Sequence, residues 1–235
     1  MKASMHSRAV GLLTLTLGSL VISASTGLSQ IDVPRGTLNV DKQLVRVGSR
    51  SNLDWNIEYP TVIKDIVTVE PTGTIVPKKT LDMRVRVLGV AFQSGSTLLP
   101  LDAYCSFNNG SWEKFFYGTG PTVVSSAILI DKKVKKTDRI DFGARGWGGS
   151  SWLPFNHTRE TTKYVTVLGK GSSAPSYAPA YNQGSVTSFL RPYIDSSGKI
   201  NIGERDLIIL WESSTAAPGT TYFDMQDLVV LVSFE

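Results

Sequence analysis

Apolar and polar residues alternate with a period of two in the clearest stretches of the chain. Leu53, Trp55, Ile57 and Tyr59 are separated by Asp54, Asn56 and Glu58, and Leu81, Met83, Val85 and Val87 by Asp82, Arg84 and Arg86. Successive side chains of a strand point to opposite faces, so each stretch predicts a strand with one face toward a core and one toward water. Further β-type runs cover 38–47, 62–69, 112–117, 123–130, 164–168, 186–193, 207–211 and 228–234. The runs 207–211 and 228–234 are apolar on both faces, as central strands covered on each side are. The last of them lies either inside the chain's own sheet or at an edge open to a neighbour. Residues 123–130 also admit a short helix, because Ser125, Ser126 and Ala127 sit in their middle. Tyr193 to Ile202 reads as a hairpin, with a turn at Asp195 to Gly198 and Ile200 and Ile202 alternating after it.

Eleven prolines and 21 glycines punctuate these runs. No amphipathic helical stretch of a dozen residues is present, nor an internal repeat of about 20–50 residues. The pattern predicts an all-β protein: an antiparallel β-sandwich of jelly-roll or Ig-like Greek-key type, forming a single domain over residues 30–235. The expected core includes Leu53, Trp55, Ile57, Met83, Val85, Val87, Leu210, Val230 and Val232. Three segments read as non-strand: a charged connector at 131–139, a glycine-rich loop with two tryptophans at 143–155, and a small-residue loop at 171–184.

The N-terminus changes the picture of where the protein works. Lys2 and Arg8 precede an uncharged stretch at 9–24 (AVGLLTLTLGSLVISA), and small residues follow at 25–29. This order predicts a cleavable signal peptide over 1–29, with a mature chain beginning between Thr26 and Gln30. Such a stretch is short for a hydrocarbon core of ~30 Å, and no second one approaches it, so no membrane span is expected after cleavage. The expected location is secreted, extracellular or periplasmic. Of 24 basic residues the signal removes two and no acid, which leaves a nearly neutral domain against 20 acids. The lysines of 131–139 are interrupted by Asp131 and Asp138, so nucleic acid is not an expected partner.

Candidate chemistry is sparse. The mature chain holds one histidine, His157, and one cysteine, Cys105, too few for a His/Cys metal site, and no metal or other cofactor is expected. Neither a nucleophile elbow nor a phosphate loop occurs, and Asp195 to Gly198 lacks the ligand spacing of an EF-hand. Cys105 reads as a small buried hydrophobe, with an intermolecular disulfide as its alternative. Acids pair as Asp138 with Asp141, Glu204 with Asp206, and Asp224 with Asp227. The leading function is therefore an exported, non-enzymatic β-domain with a structural, adhesive or assembly role, its partners being copies of itself or surface glycans. Two alternatives stand beside it. One is a carbohydrate-binding module using Trp147, Trp152, Tyr177 and Tyr181, since loop aromatics stack on sugar rings. The other is a secreted glycoside hydrolase using two carboxylates.

Overall fold

The structure, a computed structural model, describes residues 34–40, 53–58, 61–175, 191–220 and 223–235. In chain order its strands are β1 (Arg35–Val40), β2 (Leu53–Glu58), β3 (Val67–Val69), β4 (Ile75–Pro77), β5 (Leu81–Val90), β6 (Gln93–Ser94), β7 (Thr97–Leu98), β8 (Leu101–Phe107), β9 (Glu113–Gly118), β10 (Ile130–Val134), β11 (Ile140–Gly146), β12 (Asn156–His157), β13 (Val165–Gly169), β14 (Asp206–Trp211) and β15 (Leu228–Phe234). One helical turn, α1 (Ile63–Ile66), precedes β3. The protein is all-β, and its strands pair antiparallel. The first sheet has the order β10-β5-β15-β14-β13, and the second β3-β4-β11-β8-β9, with β12 on β11. β1 pairs with β2, and β6 with β7, as separate two-stranded ladders.

The inward faces of the two sheets share one apolar core. Met83, Val85, Val87, Leu207, Ile209, Trp211, Val230 and Val232 of the first sheet join Leu101, Ala103, Cys105, Ile140, Phe142 and Ala144 of the second. The other face of the first sheet is also covered. There Ile208, Leu210, Val229 and Leu231 pack with Ile200, Ile202, Phe223 and Met225 from the connections around β14. Two-sided burial explains why β14 and β15 are apolar at every core position. The final strand lies inside its sheet, between β5 and β14, and presents no edge.

The turn read at Asp195 to Gly198 is present. The Asp195 carboxylate accepts the Ser197 and Lys199 backbone N–H groups, Gly198 adopts φ +77°, and Ile194 bridges Ile200. The Lys199 backbone N–H foremost, and then the Ser197 hydroxyl, which also donates to it, hold the Asp195 carboxyl below its ordinary range.

Several sequence expectations are corrected. Trp55 and Ile57 are not core residues: they are 67% and 50% exposed, because the β1–β2 ladder stands apart from both sheets. The side chain of Leu53 lies outside the described residues. Residues 131–139 are not simply a connector, since β10 runs through Val134 and pairs with β5. Residues 62–69 are not one strand, because α1 occupies their first half. Residues 123–129 are neither strand nor helix; they cross from one sheet to the other between β9 and β10.

The glycine-rich stretch begins inside β11 rather than in a loop. Its glycines are required there because rings lie directly on the backbone: a Cβ at Gly143 would collide with Phe155, and one at Gly146 with Phe92.

Candidate functional site

Trp147 and Trp152 flank a tight loop. Gly148 N–H donates to the Ser151 carbonyl at 2.8 Å, Gly149 adopts φ +93°, and the two tryptophans bridge each other across the loop. Their rings meet edge to face, with centroids 5.4 Å apart and planes at 72°. Both are half-buried, and the Arg145 guanidinium lies 4.6 Å over the Trp152 ring. The pair thus belongs to neither described core cluster. It closes the loop as a cross-strand aromatic pair and continues outward into a line of rings and cations. Tyr177 and Tyr181 lie outside the described residues.

That line runs across the outer face of the second sheet, which period-two alternation in β8, β9 and β11 builds. Leu101, Ala103 and Cys105 point inward, so Asp102, Tyr104 and Ser106 point outward. Opposite them, Ala144 and Phe142 point inward, and Asp141, Gly143 and Arg145 outward. The Tyr104 hydroxyl donates to Asp102 at 2.8 Å, and burial is the first cause that raises its pKa. Lys114 and Arg145 pair with the same buried Asp102 carboxylate at 3.1 and 3.5 Å. Phe155 meets the Tyr104 and Trp112 rings edge-on at 5.4 and 5.1 Å, and Arg159 lies 4.4 Å over Trp112. Sugar stacking on Trp152 or Trp112 thus competes with a guanidinium already seated on the ring. Of this line, sequence reasoning found only the two tryptophans. Tyr104, Trp112, Arg145, Phe155 and Arg159 converge through cross-strand register. The alternation in β8 and β11 was the available signal for their shared face.

Several of the candidate acids are engaged in hydrogen bonds and ion pairs. Asp141 is fully buried and accepts from Thr74 Oγ1 at 2.6 Å, Thr158 Oγ1 at 3.3 Å and Arg159 Nε at 3.0 Å. Asp138 accepts the Lys135 backbone N–H and the Asn108 amide, which lower its pKa. Glu204 pairs with Lys170 at 2.9 Å. His157 packs beside Trp112 and Phe155, and its Nδ1 has no hydrogen-bond partner among the described residues. Cys105 is buried, and burial pushes its thiol far up, away from the thiolate. Among the described residues no three His, Cys, Asp or Glu side chains gather as a metal would require.

One buried acid has a measurable consequence. Asp227 Oδ2 accepts the Ser213 backbone N–H at 2.6 Å, and Glu212, also buried, accepts the Ser214 and Asp224 backbone N–H groups. Burial pushes the Asp227 carboxyl well above the carboxylate range, and the neighbouring Glu212 charge adds to the shift. A raised carboxyl pKa means that the folded chain binds more protons than the unfolded chain above about pH 4. The stabilising contribution is full below that point and is lost as pH rises through the folded pKa. Asp227→Asn keeps an acceptor for Ser213 and should remove this slope. In chemical denaturation, the stability of the natural chain relative to Asp227→Asn should fall as pH rises above about 4. A pH-independent difference would contradict the assignment.

Two further features lie at the ends of the sheets. Among the described residues β9 and β10 each pair on one side only, and between these edges lies a pocket of about 660 Å³. Phe107, Phe115, Leu129, Ile130 and Lys132 line it, with the Lys132 ammonium 3.9 Å over the Phe107 ring. Separately, the β1–β2 ladder presents an uncovered apolar row. Leu38 pairs directly with Trp55 and is 45% exposed, and Gly36 stands opposite Ile57, where it screens little. The chain matches no known family, no curated protein and no solved structure.

Proposed function

We propose that this chain is an exported, non-enzymatic β-protein that works by assembly at a cell surface or in a periplasm. Its two sheets are read as the layers of a β-sandwich, and residues 1–29 as a removable signal. One observation carries the functional reading: Leu38, Trp55 and Ile57 form an apolar row on a two-stranded ladder that the chain's own cores leave uncovered. An isolated ladder of two strands is marginal in water. Covering Trp55 and Ile57 removes on the order of 200 Å² of apolar surface, which favours contact by about 5 kcal/mol before association costs. The engaged state of the buried acids and the buried thiol supports the non-enzymatic part.

The test is the size of the purified chain in solution as a function of concentration. Species larger than the monomer are expected for the natural chain, and the Trp55→Asp/Ile57→Asp variant should lose them. Because both residues are exposed, the variant's unfolding free energy should stay within about 0.5 kcal/mol of the natural value. A natural chain that stays monomeric at every concentration would contradict the assembly reading.

A further inference from the structure

We propose that the β1–β2 ladder of one copy docks on the open β9/β10 side of a second copy, adding β2 to the free edge of β10, so that copies join head to tail. The inference rests on the assembly reading above and names its partner surface.

Three observations carry it. The first is chemical fit. The acceptor presents Phe107, Phe115, Leu129 and Ile130, rimmed by Glu113, Lys114, Asp131 and Lys132, with Ile128 beside them 49% exposed. Trp55 and Ile57 share one face of β2, and that face would turn inward on this floor when β2 extends the first sheet. Among the described residues β10 and β2 each pair on one side only, and strand addition would satisfy the other side.

The second is charge and length. The segment Leu53–Glu58 carries two acids and no base. On the outward face of β10, which Asp54 and Glu58 would share, stand Asp131 and Lys133, with Lys135 and Lys136 just past the strand, while Lys132 faces inward over Phe107. Opposite charges across neighbouring strands favour pairing. β2 has six residues and β10 five, so the ladder would run the whole edge.

The third decides between a second copy and the chain's own ladder. The ladder joins the sheets through α1, where Ile63 N–H donates to the Glu204 carbonyl and the Ile63 side chain lies near Gly169 of β13. The β3–β4 turn sits on the same side, since a Cβ on Gly73 would lie 3.2 Å from Val167 of β13. β13 and β10 are opposite ends of the first sheet, four strand spacings or about 19 Å apart. Only residues 59–62 separate β2 from α1, so Glu58 and Ile63 are at most about 18 Å apart fully extended, and a strand beside β10 would stand one spacing farther still. The chain's own β2 therefore cannot lie along its own β10. Donor and acceptor on opposite edges make a heterologous contact, so a series of species is expected, open unless the rotation between copies closes a ring.

The experiment is sedimentation velocity on the natural chain, a donor variant (Trp55→Asp/Ile57→Asp), and two acceptor variants (Leu129→Asp, and Lys132→Glu in case the first fails to fold). Circular dichroism and thermal melts check folding of each. The natural chain should give a concentration-dependent series of species, and each variant alone should stay monomeric. An equimolar mixture of donor and acceptor variants should form a dimer and nothing larger, because each supplies the one surface the other lacks. A mixture that stays monomeric would overturn the inference. So would acceptor variants that assemble like the natural chain while the donor variant does not, an outcome that leaves the assembly reading intact. A natural chain that stops at a closed dimer would overturn the head-to-tail arrangement. A monomeric natural chain would overturn the assembly reading and this inference together.

Discussion

Replacing Trp211 by Ala is expected to lower the unfolding free energy by about 3–5 kcal/mol, the cost of emptying a large buried aromatic site. Trp211 is fully buried in the core between the sheets, at the end of β14. Its Nε1–H also donates to the Asn156 carbonyl at 3.3 Å, which ties β12 of the second sheet to the first. Truncation would leave a cavity that Val165 and Leu228, its cross-strand neighbours, are too constrained to fill. Trp211→Phe retains most of the volume and loses the hydrogen bond, so it should cost less. Urea denaturation checks both. A loss below about 1 kcal/mol for the Ala variant would mean that Trp211 is not a central packing element.

Asp141→Ala is expected to be comparably severe, at about 3–5 kcal/mol, because it removes one partner of a buried network and strands the others. Thr74, Thr158 and Arg159 all donate to this carboxylate. Arg159 in turn donates to Ser106 Oγ and the Gly110 carbonyl, so the network ties the β3–β4 turn, β8 and the segment after β12 together. The Arg159 side chain keeps 23% of its surface exposed, which lets water offset part of the loss. Asp141→Asn preserves an acceptor for the hydroxyls and should cost distinctly less. If Asn and Ala prove equally harmful, the ion pair with Arg159, rather than the hydroxyl bonds, carries the stabilisation.

Period-two alternation made β5 legible, and continuous apolar runs made β14 and β15 legible, because each pattern reflects how many faces are covered. The same alternation misplaced Trp55 and Ile57. A pattern reports that a strand has an apolar face but not whether the chain's own core covers it, and here the ladder pairs with neither sheet and leaves Trp55 and Ile57 exposed. β11 was hidden for a different reason: Gly143 and Gly146 are glycines because Phe155 and Phe92 press on the backbone, and glycines read as loop. β8 alternates as β5 does, but its core face includes the small Ala103 and Cys105, which mark a strand weakly. The burial of Asp102, Ser106 and Asp141 was not legible, because a polar residue satisfied by partners distant in sequence looks like a surface residue until those partners are placed. Of the outer-face line of rings, the Trp147/Trp152 pair was visible through its glycine-rich setting. Arg145 on Trp152 and Phe155 against Tyr104 come together only through the pairing of β11 with β8 and β12.

The central claim is that the β1–β2 ladder is free of its own sheets and is covered by contact between copies. Backbone hydrogen exchange at Leu53–Glu58 measures that directly when followed against protein concentration. These amides should exchange fast in dilute solution and become protected as concentration rises, together with those of β10. Protection of β2 that is already complete in dilute solution, or exchange that stays fast at every concentration, would contradict the account.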